Sequence, residues 1–287
     1  MRTDSWLFKL LEVYGTRVHH RGQWRVHALL RKWLHPNVDA DLQVVRDGHR
    51  WLLNPSDFVQ CEFFWLGTRD DWEMFHLRKL LHPGSVILDV GANFGHYSIT
   101  LADALHKDCS VLAFEPFPPN LERLRTNIRM NSLEDIIQIH AIGLSDSVGS
   151  GYMTTRADNS GAATLAASGG AEGYHVALTT LDFFYAHHRI EKLDFMKIDI
   201  EGYEEKLLIG GKETIRRFSP LILIELDPPK LIRAGSSVDR VAAQLNDFGY
   251  KLYVARRKRL LPLRNLPHGQ DLINAFCLQK THQALLG

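Results

Sequence analysis

The hydrophobic positions of this chain fall into three regimes. Over residues 1–38, Leu7, Leu10, Leu11 and Tyr14, then Trp24, Leu29, Leu30, Trp33 and Leu34, recur at helical spacing and predict one or two helices. From about 41 to 59 the runs are short and alternating. Leu42–Val44 and Trp51–Leu53 lie either side of Asp47-Gly48, which predicts a β-hairpin. A further helix is predicted from about Asp70 to Leu81, ended by the turn His82-Pro83-Gly84.

Beyond that turn, short apolar runs alternate with helical stretches. Val86–Val90, Val111–Phe114, Ile136–His140, Leu193–Asp199 and Leu221–Glu225 read as core strands. Helices are expected from about Gly95 to Leu105, Asn120 to Asn131, up to Gly210-Gly211, and from about Val238 to Phe248. Tyr250–Val254 and Leu272–Leu278 supply the last strands. Residues 149–175, rich in Gly, Ser, Ala and Thr, break this rhythm and read as an irregular excursion over one face. Repeated βα units predict an α/β, doubly wound sheet with helices on both faces. The expected organisation is an N-terminal helical and hairpin extension over 1–80 and one large domain over 81–287.

Composition narrows the class. Hydrophobic residues make up 45% of the 287 and charged residues 23%, as in a soluble globular protein. A net charge of +1 excludes nucleic-acid binding through bulk charge, so nucleic acid is not an expected partner. Cys61, Cys109 and Cys277 are odd in number and far apart, and predict free thiols in a reducing, cytoplasmic compartment. Trp6-Leu7-Phe8 and Leu10-Leu11, interrupted by Lys9 and Glu12, are too short a run for a signal-peptide core or a bilayer span. Two basic stretches stand out: segment 17–32, with Arg17, Arg21, Arg25, Arg31 and Lys32, and Arg256-Arg257-Lys258-Arg259, which reads as a hairpin tip. Either is a solvated face, or together they meet a phosphate-bearing or lipid-linked substrate or, peripherally, the inner face of an anionic membrane.

In open α/β sheets ligands bind beyond the carboxyl ends of the strands. Polar residues gather there: Asp89-Val90-Gly91-Ala92-Asn93, Glu115-Pro116, Gly143-Leu144-Ser145-Asp146, Asp199-Ile200-Glu201-Gly202 and Glu225. Gly91 and Gly95 permit a tight turn and close backbone approach to a ligand. Glu115, at the end of the second core strand, is placed for a ribose diol, an arrangement that also fits a nicotinamide cofactor. Asp199 and Glu201 leave one strand end broadly on one side, with Glu225 next to them. Such a group supplies either a general base for a hydroxyl nucleophile or oxygen ligands for a divalent cation. Of the 15 histidines, His96 lies beside the glycine turn, His187-His188 reads as surface, and no pair has convincing metal-ligand spacing.

The stretch Ile87–Ser98, the run Ala113-Phe114-Glu115-Pro116 with Asn120, Ala141–Asp146, Thr180-Leu181-Asp182, Asp194–Glu204 and Pro220–Glu225 together resemble the FkbM family of methyltransferases. The resemblance implies a class I methyltransferase fold. This is a Rossmann-like, doubly wound sheet, mostly parallel with an antiparallel last strand, a role Leu272–Leu278 can fill. It implies S-adenosylmethionine as cofactor and a hydroxyl of a sugar, glycolipid or secondary metabolite as acceptor. Asp89, Gly91, Asn93 and Gly95 then line the methionine end, and Tyr97 and Ser98 meet its carboxylate at a helix N-terminus. Glu115 takes the ribose hydroxyls, while Asn120 and Asp146 contact the ribose or adenine edge. Glu201 and Asp199 are the expected catalytic pair. Two other readings compete. A nicotinamide-dependent oxidoreductase is disfavoured by Asn93 in place of a middle glycine, by the motif Asp199-Ile200-Glu201-Gly202, and by the lack of an obvious Tyr-x-x-x-Lys pair. A non-catalytic module docking on membranes or anions is disfavoured by the acid at every strand end.

Overall fold

The computed structural model describes residues 40–67, 71–156, 159–166 and 173–283, with 9–10, 13–15, 18, 25–26 and 29–30 among the first thirty. Within the predicted N-terminal helices the described residues 9–10, 13–15, 25–26 and 29–30 are helical, while the rest of that stretch and most of basic segment 17–32 lie outside the described residues.

Strands β1 (Leu42–Arg46) and β2 (His49–Leu53) pair antiparallel about Asp47-Gly48. Both turn residues have positive φ, 51° and 81°, as a two-residue hairpin of matching twist demands. Helices α1 (Phe58–Leu66) and α2 (Asp71–Leu80) follow. The pattern reading has no counterpart for α1. Its sequence FVQCEFFWL is apolar on nearly every side and buries Phe63, Phe64 and Trp65, so no helical stripe stands out.

The main alternation then runs β3 (Ser85–Val90), α3 (His96–Ala104), β4 (Cys109–Phe114), α4 (Pro118–Met130) and β5 (Ile137–His140). After β6 (Gly143–Leu144), the segment 149–175 expected to be irregular instead supplies β7 (Gly149–Arg156), β8 (Asn159–Ala166) and the start of β9 (Tyr174–Thr179). These form a separate four-stranded sheet in the order β6-β9-β7-β8. After it come α5 (Leu181–His188), β10 (Phe195–Ile198), α6 (Glu204–Gly210), α7 (Lys212–Phe218), β11 (Leu221–Leu226), α8 (Pro228–Arg233) and α9 (Val238–Asp247). The hairpin β12 (Lys251–Arg256) and β13 (Arg259–Pro262), then β14 (Ile273–Leu278), close the sheet.

The central sheet has eight strands in the order β13-β12-β14-β11-β10-β3-β4-β5. From β5 to β11 every pairing is parallel, and β14 inserts antiparallel between β11 and β12. This is the class I methyltransferase topology, with its antiparallel strand where Leu272–Leu278 was expected. The chain winds outward from β3 through β4 to β5, then returns to place β10 on the other side of β3. The switch point therefore lies between β3 and β10, and ligands bind at such a crevice.

Alternation along each strand divides the core. Ile87, Val111, Phe195 and Leu221 face one layer with Ile99, Leu101, Leu124 and Ile128 of α3 and α4. Their neighbours Leu88, Leu112, Met196 and Ile222 face the other, with Phe184, Leu207, Ile215 and Val241 of α5, α6, α7 and α9. Each such side chain contributes roughly 1.5–3 kcal/mol on burial. The hairpin and α1 belong to the first layer, since Trp51 packs edge-on against Phe63 and Phe94. Asn127 of α4 and Asn131, its C-cap, pin the hairpin backbone: their side-chain carbonyls accept from Leu52 N at 2.6 Å and Arg50 N at 2.9 Å. Among the described residues no helix is long and apolar enough to cross a membrane.

Candidate functional site

The turn after β3 is held from both sides. Gly91 N and Ala92 N both donate to Phe114 O at 3.0 Å, while Gly91 (φ 79°), Asn93 (φ 51°) and Gly95 (φ 95°) adopt left-handed backbone. The two glycines are needed first for the chain's approach to itself. A Cβ on Gly91 would lie 1.9 Å from Asp199 O at the end of β10, and one on Gly95 would lie 2.8 Å from Leu124 Cδ1. Gly91 thus lets β3 and β10 close together at the switch point, a role that the ligand-approach reading of these glycines lacked.

Asp89 is buried beneath the turn and accepts from Ser98 N at 3.0 Å and Ser98 Oγ at 2.5 Å. Burial pushes its carboxyl up, against Ser98 and Lys197, which pull it down. Both polar groups of Ser98 are therefore engaged with Asp89, and the structure gives Ser98 a positioning place beneath the turn rather than a free donor at the helix start. Tyr97 is buried beside it, its ring 5.1 Å from Lys197 Nζ. His96 packs among Trp51, Phe63, Phe94 and Tyr97.

One strand over, Glu115 is 4% exposed. Its two oxygens accept from Asn93 N at 2.8 Å and Phe117 N at 2.9 Å, and Asn120 of α4 also hydrogen-bonds it. Burial pushes this carboxyl up to about 7 in spite of those donors. Asn93 Oδ1 is buried with no hydrogen-bond partner, an acceptor that such a site leaves for a ligand donor. Asn93, Glu115 and Asn120 thus form one hydrogen-bonded wall, with Asp89 near enough for its charge to act on Glu115. Asp146 is exposed and accepts from Ser145 Oγ at 3.1 Å and Ser147 Oγ at 3.3 Å, and its charge acts on Tyr203 just after Gly202.

On the other side of the switch point, Asp199, Glu201 and Glu225 bring carboxylate oxygens within 4.8 Å of one another. The turn carrying them is unusual. Glu201 has φ 58° and Gly202 φ 103°, and a Cβ on Gly202 would lie 2.4 Å from Lys230 O at the start of α8. Glu204 holds this strained turn from beneath, accepting from Ile200 N and Gly202 N at 3.2 Å each. Burial pushes Glu204 up to about 7.

Lys230 occupies the centre of the acid group. Its Nζ lies 2.9 Å from Glu201 Oε1, 2.8 Å from Glu225 Oε2 and 3.5 Å from Asp227 Oδ2. Asp227 caps α8 through Lys230 N, and with Pro228 and Pro229 in the first turn it fixes where the lysine emerges. Burial works against the Lys230 charge, but Glu225, Glu201 and Asp199 outweigh it and hold the ammonium well above the ordinary lysine value. Burial, together with the Asp199 charge, pushes Glu225 up to about 8, and burial pushes Glu201 up to about 7. Lys197, buried in mid-strand, pairs with Asp199 at 3.2 Å. The donor set would suit a hard divalent cation, but the chain's own ammonium already sits against two of the three carboxylates. Lys230 and Glu204 were missed as site residues. The spacing Asp227-Pro228-Pro229-Lys230 just after a strand-end acid was the signal available for the lysine.

The Methyltransferase FkbM domain model matches residues 89–252, more than half of the chain. The AMB antimetabolite synthetase AmbE of Pseudomonas aeruginosa is 24% identical over 274 residues, covering 81% of this chain and 12% of the synthetase. Methyltransferase sdnD of Sordaria araneosa is 26% identical over 196 residues, covering 58% of this chain and 73% of that protein. The crystal structure of methyltransferase FkbM from Methylobacillus flagellatus KT superposes with a TM-score of 0.46 at 18% identity, over 68% of this chain and 44% of that one. This chain therefore spans a small fraction of the synthetase and less than half of the crystallised protein.

Proposed function

The chain belongs to the FkbM family of methyltransferases, and from that premise we propose that it moves a methyl group from S-adenosylmethionine to a hydroxyl oxygen of a sugar, glycolipid or secondary metabolite. The observation that carries this reading is the pair of facing polar sites at one switch point. The wall of Asn93, Glu115 and Asn120 beside Asp89 fits a nucleoside cofactor, with a buried carboxylate for a ribose diol and the orphaned Asn93 Oδ1 for a further donor. Across β10, the group of Asp199, Glu201, Glu225 and Lys230 fits an acceptor hydroxyl.

When bound, the cofactor supplies an electrophilic methyl on a sulfonium and leaves as the neutral thioether. The chain's part is to orient the hydroxyl and remove its proton. In-line displacement rewards positioning, and the turn 200–203, tied down by Glu204, presents Glu201 on rigid backbone. Glu201, with its carboxyl raised to about 7, is poised to take the proton near neutral pH. Lys230 keeps the resulting group of acids from repelling itself, and Glu225 holds the lysine in place. Because Lys230 stands where a cation would, the proposed transfer needs no metal.

Three measurements test the reading. Calorimetry should detect S-adenosylmethionine and not NADH. Labelled cofactor incubated with extract fractions should yield a base-stable methylated product, as an ether is. EDTA should leave the rate unchanged. Binding of NADH alone would overturn the cofactor assignment, and a rate lost to EDTA and restored by magnesium would overturn the metal-free mechanism.

A further inference from the structure

Strand β10 reads Phe195-Met196-Lys197-Ile198 and is buried along its whole length in the middle of the sheet. A lysine is out of place there, since a buried ammonium is costly unless a counter-charge offsets it. At the same level of the sheet its neighbour in β11 is Leu223, which packs at no such cost, and its neighbour in β3 is Asp89. Lys197 is 2% exposed, and the proposed chemistry makes no use of it.

The groups around this ammonium belong to both halves of the candidate site. Nζ lies 3.2 Å from Asp199 Oδ2 and 5.1 Å from the centre of the Tyr97 ring. Its charge also acts on Asp89 and on Glu225. Strand alternation agrees with these contacts: Lys197 and Asp199, two residues apart, leave β10 on one face, and Asp89 leaves β3 beside Lys197 on that same face. The lysine thus stands beneath the seam of β3 and β10. At the top of the seam, Asp199 is where the two polar sites meet. Asp199 N donates to Val90 O at 3.1 Å, and Asp199 O comes so close to Gly91 that no Cβ would fit. Its carboxylate joins those of Glu201 and Glu225.

The seam lies between the cofactor wall and the acid group, so it is where a sulfonium must face the acceptor. Asp199 would hold that sulfonium in the ground state unless its own charge were offset. Such an attraction is lost as the sulfur becomes neutral, so it would stabilise the ground state more than the transition state and slow transfer. The geometry points to Lys197 as a positioning residue that offsets the Asp199 charge from beneath, so that the site does not favour the charged cofactor over its neutral thioether product. Lys230 does the same for Glu201 and Glu225 from α8. A buried ammonium suits the task because it is fixed in place and little screened by salt. This role rests on the methyl-transfer reading and gives it a residue that tunes the cofactor's charge without touching the acceptor.

Calorimetry on the full chain at about pH 8, well above the ordinary aspartate range, measures S-adenosylmethionine and S-adenosylhomocysteine as separate titrants. Only the first carries the sulfonium charge, so the ratio of the two affinities reads charge at the seam and is blind to a general loosening of the pocket. Lys197→Met should shift the ratio about tenfold towards S-adenosylmethionine. Asp199→Asn, which leaves the ammonium unopposed by that carboxylate, should shift it by about as much the other way. The double variant Lys197→Met/Asp199→Asn should return it to within about twofold of the wild type. A Lys197→Met change that weakens both ligands alike would overturn the role in favour of plain structural support. Should Lys197→Met fail to fold, Asp199→Asn and the double variant decide: a ratio that does not fall in the first and recover in the second overturns the role. If both ligands bind and the ratio never moves, methyl transfer stands and the role of Lys197 falls. If the wild type binds neither ligand, the cofactor assignment falls and this role falls with it.

Discussion

Replacing Lys230 by Met keeps most of the apolar stem and deletes the ammonium at the centre of the acid group. In the wild type that ammonium lies 2.9 Å from Glu201 and 2.8 Å from Glu225, both mostly buried. Removing one member of a buried ion pair costs about 3–5 kcal/mol, because the partner's charge is left uncompensated. Here the partners can escape the cost by taking up protons, so the loss depends on pH. Glu225 and Glu201 have folded values raised to about 8 and about 7 from the ordinary 4.5. A raised carboxyl binds its proton more tightly in the folded state. The stability it adds is complete below the unfolded value and is lost as pH rises through the folded value. At about pH 5 both glutamates are protonated with or without Lys230, leaving the 3.5 Å contact to Asp227 and the more distant Asp199 charge, and the variant should lose about 1 kcal/mol or less. By about pH 9 the wild-type acids are ionised against Lys230, and the variant should lose the full 3–5 kcal/mol, about 5–8 °C in thermal midpoint for a chain of this length. Melting followed by circular dichroism between these limits tests it, without cofactor. A loss of equal size at every pH would refute the argument, since it would mean that Lys230 acts through packing and not through its charge.

Three other substitutions probe the remaining parts of the site. Glu201→Gln should cut turnover about 10²–10³-fold with S-adenosylmethionine affinity little changed. The wild-type rate should rise with pH through about 7 as Glu201 loses its proton, and labelled methyl transfer should show that rise absent from the variant's residual rate. Glu115→Gln leaves one of the two backbone donors, Asn93 N or Phe117 N, without a charged acceptor. It should weaken cofactor binding by about 1.5–3 kcal/mol, read by calorimetry. Gly91→Ala places a methyl 1.9 Å from Asp199 O, whereas Gly84→Ala, also at positive φ, meets nothing within 4 Å. Thermal melting should show about 1 kcal/mol lost at Gly84 from backbone strain alone, and several times that at Gly91.

What the sequence revealed, and what it hid, follows from the range of the interactions involved. Strand-end acids were legible because each breaks an apolar run at its carboxyl end, a local signal that topology turns into a common site. Asp89, Glu115, Asp199 and Glu225 all lie where that rule put them. The four-stranded sheet over 143–179 was not legible. Its opening run Gly149-Ser150-Gly151 lacks the bulky alternating residues that announce a strand, and its order comes from pairing with partners such as Val176 and Ala177. Ser98 looked like a free helix-start donor until folding set it against Asp89, nine residues earlier.

Lys230 marks the limit most clearly. Beyond the Asp227-Pro228-Pro229 that precede it, nothing local distinguishes it from a solvated lysine, for its partners include Glu201, twenty-nine residues earlier. What brings them together is backbone: Gly202 permits an approach to Lys230 O that any Cβ would block. The glycine of Asp199-Ile200-Glu201-Gly202 thus serves the acids on either side of it by admitting the start of α8, and the acids depend in turn on the lysine that α8 carries. A larger residue at 202 should therefore disturb the Glu201–Lys230 pair even though it touches neither side-chain charge. The two strand ends form one unit, and the left-handed Glu201 backbone, at φ 58°, belongs to the geometry that brings its carboxylate to Lys230.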